Sequence, residues 1–290
     1  MTENSGIDFI RTKSKAINGR EGLFMKLGVI GAGNMASAIV KGVAGSGKID
    51  AHSIYVSDKD TAKLDALANQ TGVNVSGNNS EVYKNSDVII FAVKPNVYPI
   101  VLDEASKSGG IGEKLIISIA PGISTKTIEG YFDMGAHVVR TMPNTPAMVG
   151  EGMSVLCRGT NVSDEQFDTA NMIFSCIGKT AELGENMMDA VVAISGSSPA
   201  YVFMLIEAMA DAGVQSGLAR SVSYELAAQS VLGSAKMVLD TKKHPGELKD
   251  MVCSPGGTTI DAVAVLEKKG FRSAIIEAMD VCTKKTRAMG

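Results

Sequence analysis

An α/β domain followed by an all-α domain is what this 290-residue sequence predicts, and three observations carry the prediction. From Lys26 to Leu183, short runs of β-branched and aliphatic residues alternate with helix-length segments, the pattern of a mostly parallel sheet with helices on its faces. A glycine-rich turn, Gly31-Ala32-Gly33-Asn34-Met35-Ala36, joins the first apolar run to the first helical one. Past Glu185 the alternation stops, and Ala, Met and Leu recur at helical spacing.

Residues 1–24 are polar and aperiodic and lack the apolar centre of a signal peptide, so they are expected to be a disordered upstream extension or a tag with no part in the fold. Lys26-Leu27-Gly28-Val29-Ile30 reads as a strand. The turn after it has the G-x-G-x-x-A form in strand-turn-helix context: the first glycine makes the turn, the second admits a pyrophosphate, and the small last residue lets the helix pack on the strand. This predicts a Rossmann-type dinucleotide-binding domain over residues 25–184, with Gly31, Gly33, Asn34 and Met35 at the phosphates. The next strand, Ser53 to Val56, ends in Ser57-Asp58-Lys59. An acid there can grip a ribose hydroxyl and repel a ribose phosphate, whereas Ser57 and Lys59 can hold that phosphate. The balance favours NADPH, with NADH as the alternative.

Thr61 to Asn69 reads as a helix, Val73 to Val75 as a short strand, Ser80 to Asn85 as a helical turn, and Asp87 to Val93 as a buried parallel strand ending in Lys94-Pro95. Leu115 to Ala120 and His137 to Arg140 are two more strands. Ligands of such sheets collect at the carboxyl ends of the strands, which makes Asn79, Val93, Lys94, Pro95 and Ala120 candidates to line the cofactor. Lys94 alone would read as a solvated lysine; its place at a strand end makes it a candidate. Thr141 to Pro146 is too proline-rich for helix or inner strand and is expected to be a rigid loop at the ligand edge. Short strands near Ser154 to Cys157 and Thr180 to Leu183 flank a helix from about Asp164 to Cys176.

The second domain, residues 185–290, is all-helical. Its apolar positions, among them Val202, Leu205, Ile206, Met209, Leu226, Val231 and Leu232, exceed what one subunit of that size can cover, so a homodimer or larger homo-oligomer is expected. A net charge of -3 with scattered Lys and Arg offers no field for nucleic acid or an anionic membrane. No apolar run is read as reaching the roughly 20 residues of a membrane span. Cys157, Cys176, Cys253 and Cys282 lie far apart, form no CxxC pair and have no clustered histidines, which argues against a metal and for reduced core thiols in a cytoplasmic protein.

A nucleotide domain followed by a helical one implies hydride transfer to a small molecule. His52, His137 and His244 are not placed as proton shuttles, and between Lys179 and Lys236 there is no lysine to serve as the base of a hydroxyacid dehydrogenase. Reduction of a C=N bond needs no such base, because a cyclic imine is protonated by water and its iminium accepts hydride directly. The ligand loop would be Ser254-Pro255-Gly256-Gly257-Thr258-Thr259. Two glycines let the backbone approach a ligand, the following helix start offers unpaired amides to a carboxylate, and Thr258 is the expected cap.

Gly31 to Ala36, Ala92-Val93-Lys94-Pro95, Arg140 to Pro146, Asp189-Ala190 with Ser195 to Tyr201, and His244-Pro245 through Thr259 occur in an order that resembles the pyrroline-5-carboxylate reductase family across residues 25–290. The resemblance implies reduction of 1-pyrroline-5-carboxylate to L-proline with NAD(P)H, by dimers that in many members assemble to decamers. It puts Thr259 against the ring nitrogen as the catalytic contact, Ser254, Gly257 and Thr258 around the substrate carboxylate, and Glu185 near the substrate amine. Three departures stand out: Ser198 where the family carries glycine, Pro121 where it carries a small residue with an amide donor, and Met251 where some relatives are polar near the cofactor. The competing readings are another imine or hydroxyacid reductase on the same frame and a non-catalytic NADPH-binding regulator.

Overall fold

The computed structural model describes residues 25–132 and 135–289. The expectation for residues 1–24 lies outside them. Among the described residues, those from 25 to 196 together with 283–289 form one compact unit, and Ser197–Cys282 form a second.

The first unit is built on β1 (Leu27–Ile30), α1 (Asn34–Ser46), β2 (Ile54–Ser57), α2 (Thr61–Thr71), β3 (Asn74–Ser76), α3 (Asn79–Asn85), β4 (Val88–Phe91), α4 (Tyr98–Lys107), β5 (Leu115–Ser118), α5 (Thr125–Glu129), β6 (His137–Met142), β7 (Gly152–Arg158), α6 (Asp164–Ser175) and β8 (Gly178–Glu182). The strands make one eight-stranded sheet in the order β3-β2-β1-β4-β5-β6-β7-β8. Every neighbouring pair is parallel except β6 and β7, which run antiparallel through the pairs Arg140–Cys157 and Thr141–Leu156. Thr141 and Met142, expected in the loop, extend β6 instead, and the turn-rich Pro143 to Gly150 segment brings the chain straight back, where a parallel neighbour would have needed a crossover. That reversal was not visible in the periodicity.

The inner strands are apolar without alternation because both sheet faces are covered. Along β4, Val88 and Ile90 pack with α1, α2 and α6 on one face, while Ile89 and Phe91 pack with α3 and α4 on the other. The strand order reverses around β1, between β2 and β4, so the cleft above the carboxyl ends of β1, β4 and β5 is the ligand position of this topology.

The expected domain boundary at 184/185 precedes the spatial one at 196/197. The reason is packing: a short turn Glu185–Met187 and α7 (Met188–Val191) place Met188 and Val191 in a cluster with Val155 and Cys157 of β7. A wide, π-type turn at Val192–Gly196 follows, and the side-chain amide of Asn144 donates to the Ser195 carbonyl at 3.0 Å. Asn144 Oδ1 also accepts from Met153 N at 2.8 Å, so one residue staples the proline-rich loop to both flanks.

The second unit holds α8 (Ser198–Gln215), α9 (Arg220–Thr241), α10 (Pro245–Val252), α11 (Thr258–Lys268) and most of α12 (Phe271–Arg287). Within one subunit α8 buries only Pro199 and Ala210, α9 only Ser223 and Ala227, and α11 nothing. Phe203, Met204, Leu226, Leu232, Leu239 and Ile276 are left exposed. A helix that is apolar all round is stable only when buried on all sides, so this unit requires a further copy of the surface it offers. The stretch Glu185–Gln215 holds an 18-residue window with a mean hydropathy of 1.5 and is long and apolar enough by composition to cross a membrane, contrary to the sequence expectation of no such run. Its apolar character is the same unburied face, extended through α8.

Candidate active site

The glycine turn is built as the fingerprint demands. Gly31 has φ of 106°, and a Cβ there would lie 2.7 Å from the Ala92 carbonyl oxygen, so no side chain fits between β1 and β4. At Gly33 the situation is opposite: a Cβ would meet nothing within 4 Å, which leaves open space in front of the α1 N-terminus. Gly33 is the N-cap of α1 and supplies no side-chain cap, so the first amides of α1, from Asn34 and Met35, face that space without a competing oxygen. This open, uncapped helix start beside the strand switch point fits a dinucleotide pyrophosphate. The Met35 side chain itself packs against the core, so only its backbone is available to a ligand.

Asp58, at the end of β2, accepts from Ala32 N at 2.6 Å with Oδ2 and from Asp60 N at 2.9 Å with Oδ1. The carboxylate is therefore part of the turn's scaffold. Ser57 corrects the sequence expectation. It is fully buried, and its hydroxyl donates to Asn79 Oδ1 at 2.7 Å, so its side chain cannot hold a ribose phosphate. It acts on Asn79 instead, whose Nδ2 donates to Glu104 Oε2 at 2.9 Å. That pair of bonds fixes the amide orientation and leaves one Nδ2 hydrogen for a ligand. Lys59 and Lys94 are exposed, Lys94 as the residue leading into the short turn Pro95–Val97, while Val93 is partly buried against the core and Ala120 is 2% exposed at the end of β5.

A second polar cluster lies in the same unit, and periodicity gave no signal of it. Arg140, at 4% exposure, forms an ion pair with Glu185 through Nη1 and bonds Asp189 Oδ1 through Nη2 at 3.3 Å. Glu185 Oε2 also accepts from Thr125 N at 3.3 Å and faces the Cys157 thiol at 3.6 Å. Burial works to raise the Glu185 pKa, but the Arg140 hydrogen bond and charge, with Thr125, overcome it and the net displacement is downward. Burial first, and then the Glu185 carboxylate, push the Cys157 thiol up to about 12, which makes it the inert core cysteine the sequence suggested. A polar cavity of about 240 Å³ borders this cluster, with Gly122, Ser124, Thr127, Arg140, Glu185 and Asp189 among its walls.

In the second unit, the Ser254 to Thr259 loop closes by a Gly257 N to Ser254 O hydrogen bond of 3.0 Å, with Gly256 at φ of 67°. The cap of α11 is Gly257, not Thr258 as expected, and no side chain caps the helix. Thr258 is already its first helical residue, because the Gly256–Gly257 turn delivers the chain one residue earlier. The consequence is that both threonine hydroxyls and the first amides of α11 are left for a ligand. Ser254 and Thr258 are exposed and Thr259 is partly so. His244 caps α10 by accepting from Gly246 N at 3.1 Å, and His137 Nδ1 lies 2.7 Å from the Asn161 carbonyl, so both histidines are structural. Among the described residues there is no group of three or more His, Cys, Asp or Glu side chains that could hold a metal.

The family described as pyrroline-5-carboxylate reductase dimerisation matches residues 185–289, and that described as NADP oxidoreductase, coenzyme F420-dependent, matches residues 26–122. The pyrroline-5-carboxylate reductase of Escherichia coli (strain K12) is 47% identical over 266 residues, covering 91% of this chain and 98% of that protein. The corresponding enzyme of Synechocystis sp. is 45% identical over 266 residues, covering 92% and 98%. The crystal structure of Plasmodium falciparum pyrroline carboxylate reductase with NADP bound superposes with a TM-score of 0.84 at 34% identity, over 92% of this chain and 98% of that one.

Proposed function

This chain belongs to the pyrroline-5-carboxylate reductase family, and from that membership we propose how its own residues divide the work. The reaction is reduction of 1-pyrroline-5-carboxylate to L-proline, the closing step of proline synthesis, in an NADP-dependent homo-oligomeric enzyme. When bound, the reduced nicotinamide supplies the hydride.

In the proposed division, Gly31, Gly33, Asn34 and Met35 receive the pyrophosphate through backbone at the start of α1. Asp58, Lys59 and Asn79 line the ribose end, Ser57 serving only to orient Asn79. Val93, Lys94, Pro95 and Ala120 border the nicotinamide end. Ser254, Gly257 and Thr258 hold the substrate carboxylate, and the Thr259 hydroxyl orients the ring nitrogen so that one face of the C=N bond meets the hydride. Glu185 is assigned to the substrate amine. Its carboxylate is kept ionised by Arg140, which suits an acceptor for the N–H of an iminium or of the product amine. No side-chain base is required, because the imine is protonated before it is reduced.

The uncapped N-terminus of α11 supports this reading most directly: a helix start flanked by three hydroxyl side chains and carrying no cap is suited to a small carboxylate. The unburied faces of α8 and α9 support a dimer that buries them; assembly of such dimers to a decamer, in the cytoplasm and off the membrane, is part of the same proposal. The test is oxidation of NADPH with 1-pyrroline-5-carboxylate, run beside simple cyclic imines and 3-hydroxy acids. Turnover confined to one of the latter would overturn the substrate assignment.

A further inference from the structure

We propose that Tyr98 is a positioning residue for hydride transfer: its buried hydroxyl ties the ends of β4 and β5 together and so sets the gap between Ala92–Lys94 and Ile119–Ala120. Tyr98 is the first residue of α4 and is 1% exposed. A tyrosine hydroxyl has one hydrogen to donate and two lone pairs to offer, and here all three are used. The hydrogen goes to the Phe91 carbonyl, the last of β4. The lone pairs accept from Ser118 Oγ at 3.0 Å, the last residue of β5, and from Ile119 N at 3.3 Å. Ser118 Oγ in turn accepts from Ala120 N at 3.4 Å. The chain of bonds thus runs from the exit of one strand to the exit of its neighbour.

Ladder hydrogen bonds hold β4 to β5 only as far as the Phe91–Ser118 pair. Beyond it the two backbones diverge into loops, and a single Ile119 N to Phe91 O bond of 3.3 Å is the remaining direct link. Tyr98 occupies that point of divergence. Its ring packs beside Phe91, with centroids 6.3 Å apart, so the hydroxyl is aimed by a fixed side chain in the core and not by a surface loop. A flat ring that must present one carbon to the substrate tolerates little error in the walls on either side, and misplacement of about 1 Å costs about 100-fold in rate.

The inference rests on the nicotinamide end lying over these strand exits, so the experiment separates the two ideas. Four variants are compared for NADPH dissociation constant by fluorescence titration, emission maximum of bound NADPH, kcat and melting temperature. Tyr98→Phe is expected to lower kcat about 10-fold, weaken NADPH severalfold and shift the bound emission. Ser118→Ala, which removes the hydroxyl's partner and leaves Tyr98, should give the same pattern and decides the matter if Tyr98→Phe does not fold. Tyr83→Phe is the control. That tyrosine lies in the same core cluster and bonds the Val101 carbonyl at 3.3 Å, away from any strand end, so it should lose melting temperature alone. Gly33→Val fills the open space before α1 and should abolish NADPH binding. If Tyr98→Phe and Ser118→Ala behave like Tyr83→Phe while Gly33→Val fails to bind, the positioning role is refuted and the site stands. If Gly33→Val binds normally, the site itself is misplaced.

Discussion

Replacing Arg140 by methionine tests whether the buried cluster around Glu185 is held by charge. Arg140 has a side chain only 5% exposed, between Glu185 at 34% and Asp189 at 29%. Breaking a fully buried pair by removing one partner costs about 3–5 kcal/mol, because the remaining charge is stranded. Here water reaches a third of each carboxylate, which screens the stranded charges and reduces the expected loss to about 2–3 kcal/mol. For a unit of this size that is about 4–12 °C in melting temperature. The loss should also depend on pH. With its folded pKa lowered, Glu185 contributes stability that is present above the unfolded carboxyl value of about 4.3 and is lost as pH falls through the folded value. In Arg140→Met the Thr125 hydrogen bond remains but the guanidinium that offset burial is gone, so the Glu185 pKa moves up relative to the parent and protonation relieves the strain. The gap between parent and variant is therefore widest near pH 7 and narrows at pH 4, and adding Glu185→Gln recovers part of it at pH 7. Scanning calorimetry at fixed protein concentration measures this. A gap of the same size at both pH values would show that the loss is one of packing and that the charge argument is wrong.

Three further outcomes follow from the site. Thr259→Ala should lower kcat/KM for the imino acid by about 10- to 1,000-fold with the fold intact, the range for one oriented donor; unchanged kinetics would remove Thr259 from the mechanism. Asp58→Ala should weaken both coenzymes, since the Ala32 tether is lost, yet raise the NADPH-to-NADH preference about tenfold, or about 1.4 kcal/mol, as a repelling charge goes; paired Michaelis constants decide this. Phe203→Asp, on a residue 58% exposed in the single subunit, should cost about 2–4 kcal/mol of assembly and shift sedimentation toward a smaller species.

The parallel half of the sheet was legible because its strands are short, apolar and separated by helix-length segments, and the glycine turn because its spacing and context coincide. The antiparallel β7 was not, since a strand's apolar run is the same whichever way it points. Ser57 shows a different limit: a serine beside a ribose acid reads as a ligand, and only its complete burial against Asn79 reveals that it acts at one remove. The Arg140 cluster spans residues 125 to 189 in sequence, and its partners become neighbours only through sheet order and α7. Thr258 was misplaced by one residue because threonine and glycine are about equally favoured caps, and a preference for the residue with a hydroxyl to offer the amides chose between them. The turn geometry before it, with Gly256 in the left-handed region, overrode that preference.

That override leaves α11 weaker than it needs to be. An Asp or Ser at position 257 would cap the helix, yet relative to glycine it would add only about a few tenths of a kcal/mol. It would also set an oxygen on the amides that the substrate carboxylate is proposed to use, and its Cβ would crowd Ser254 Oγ at 2.7 Å. Capping α11 at this position is thus expected to cost more in substrate binding than it adds in melting temperature, which makes Gly257 the position to hold fixed when the enzyme is hardened for use.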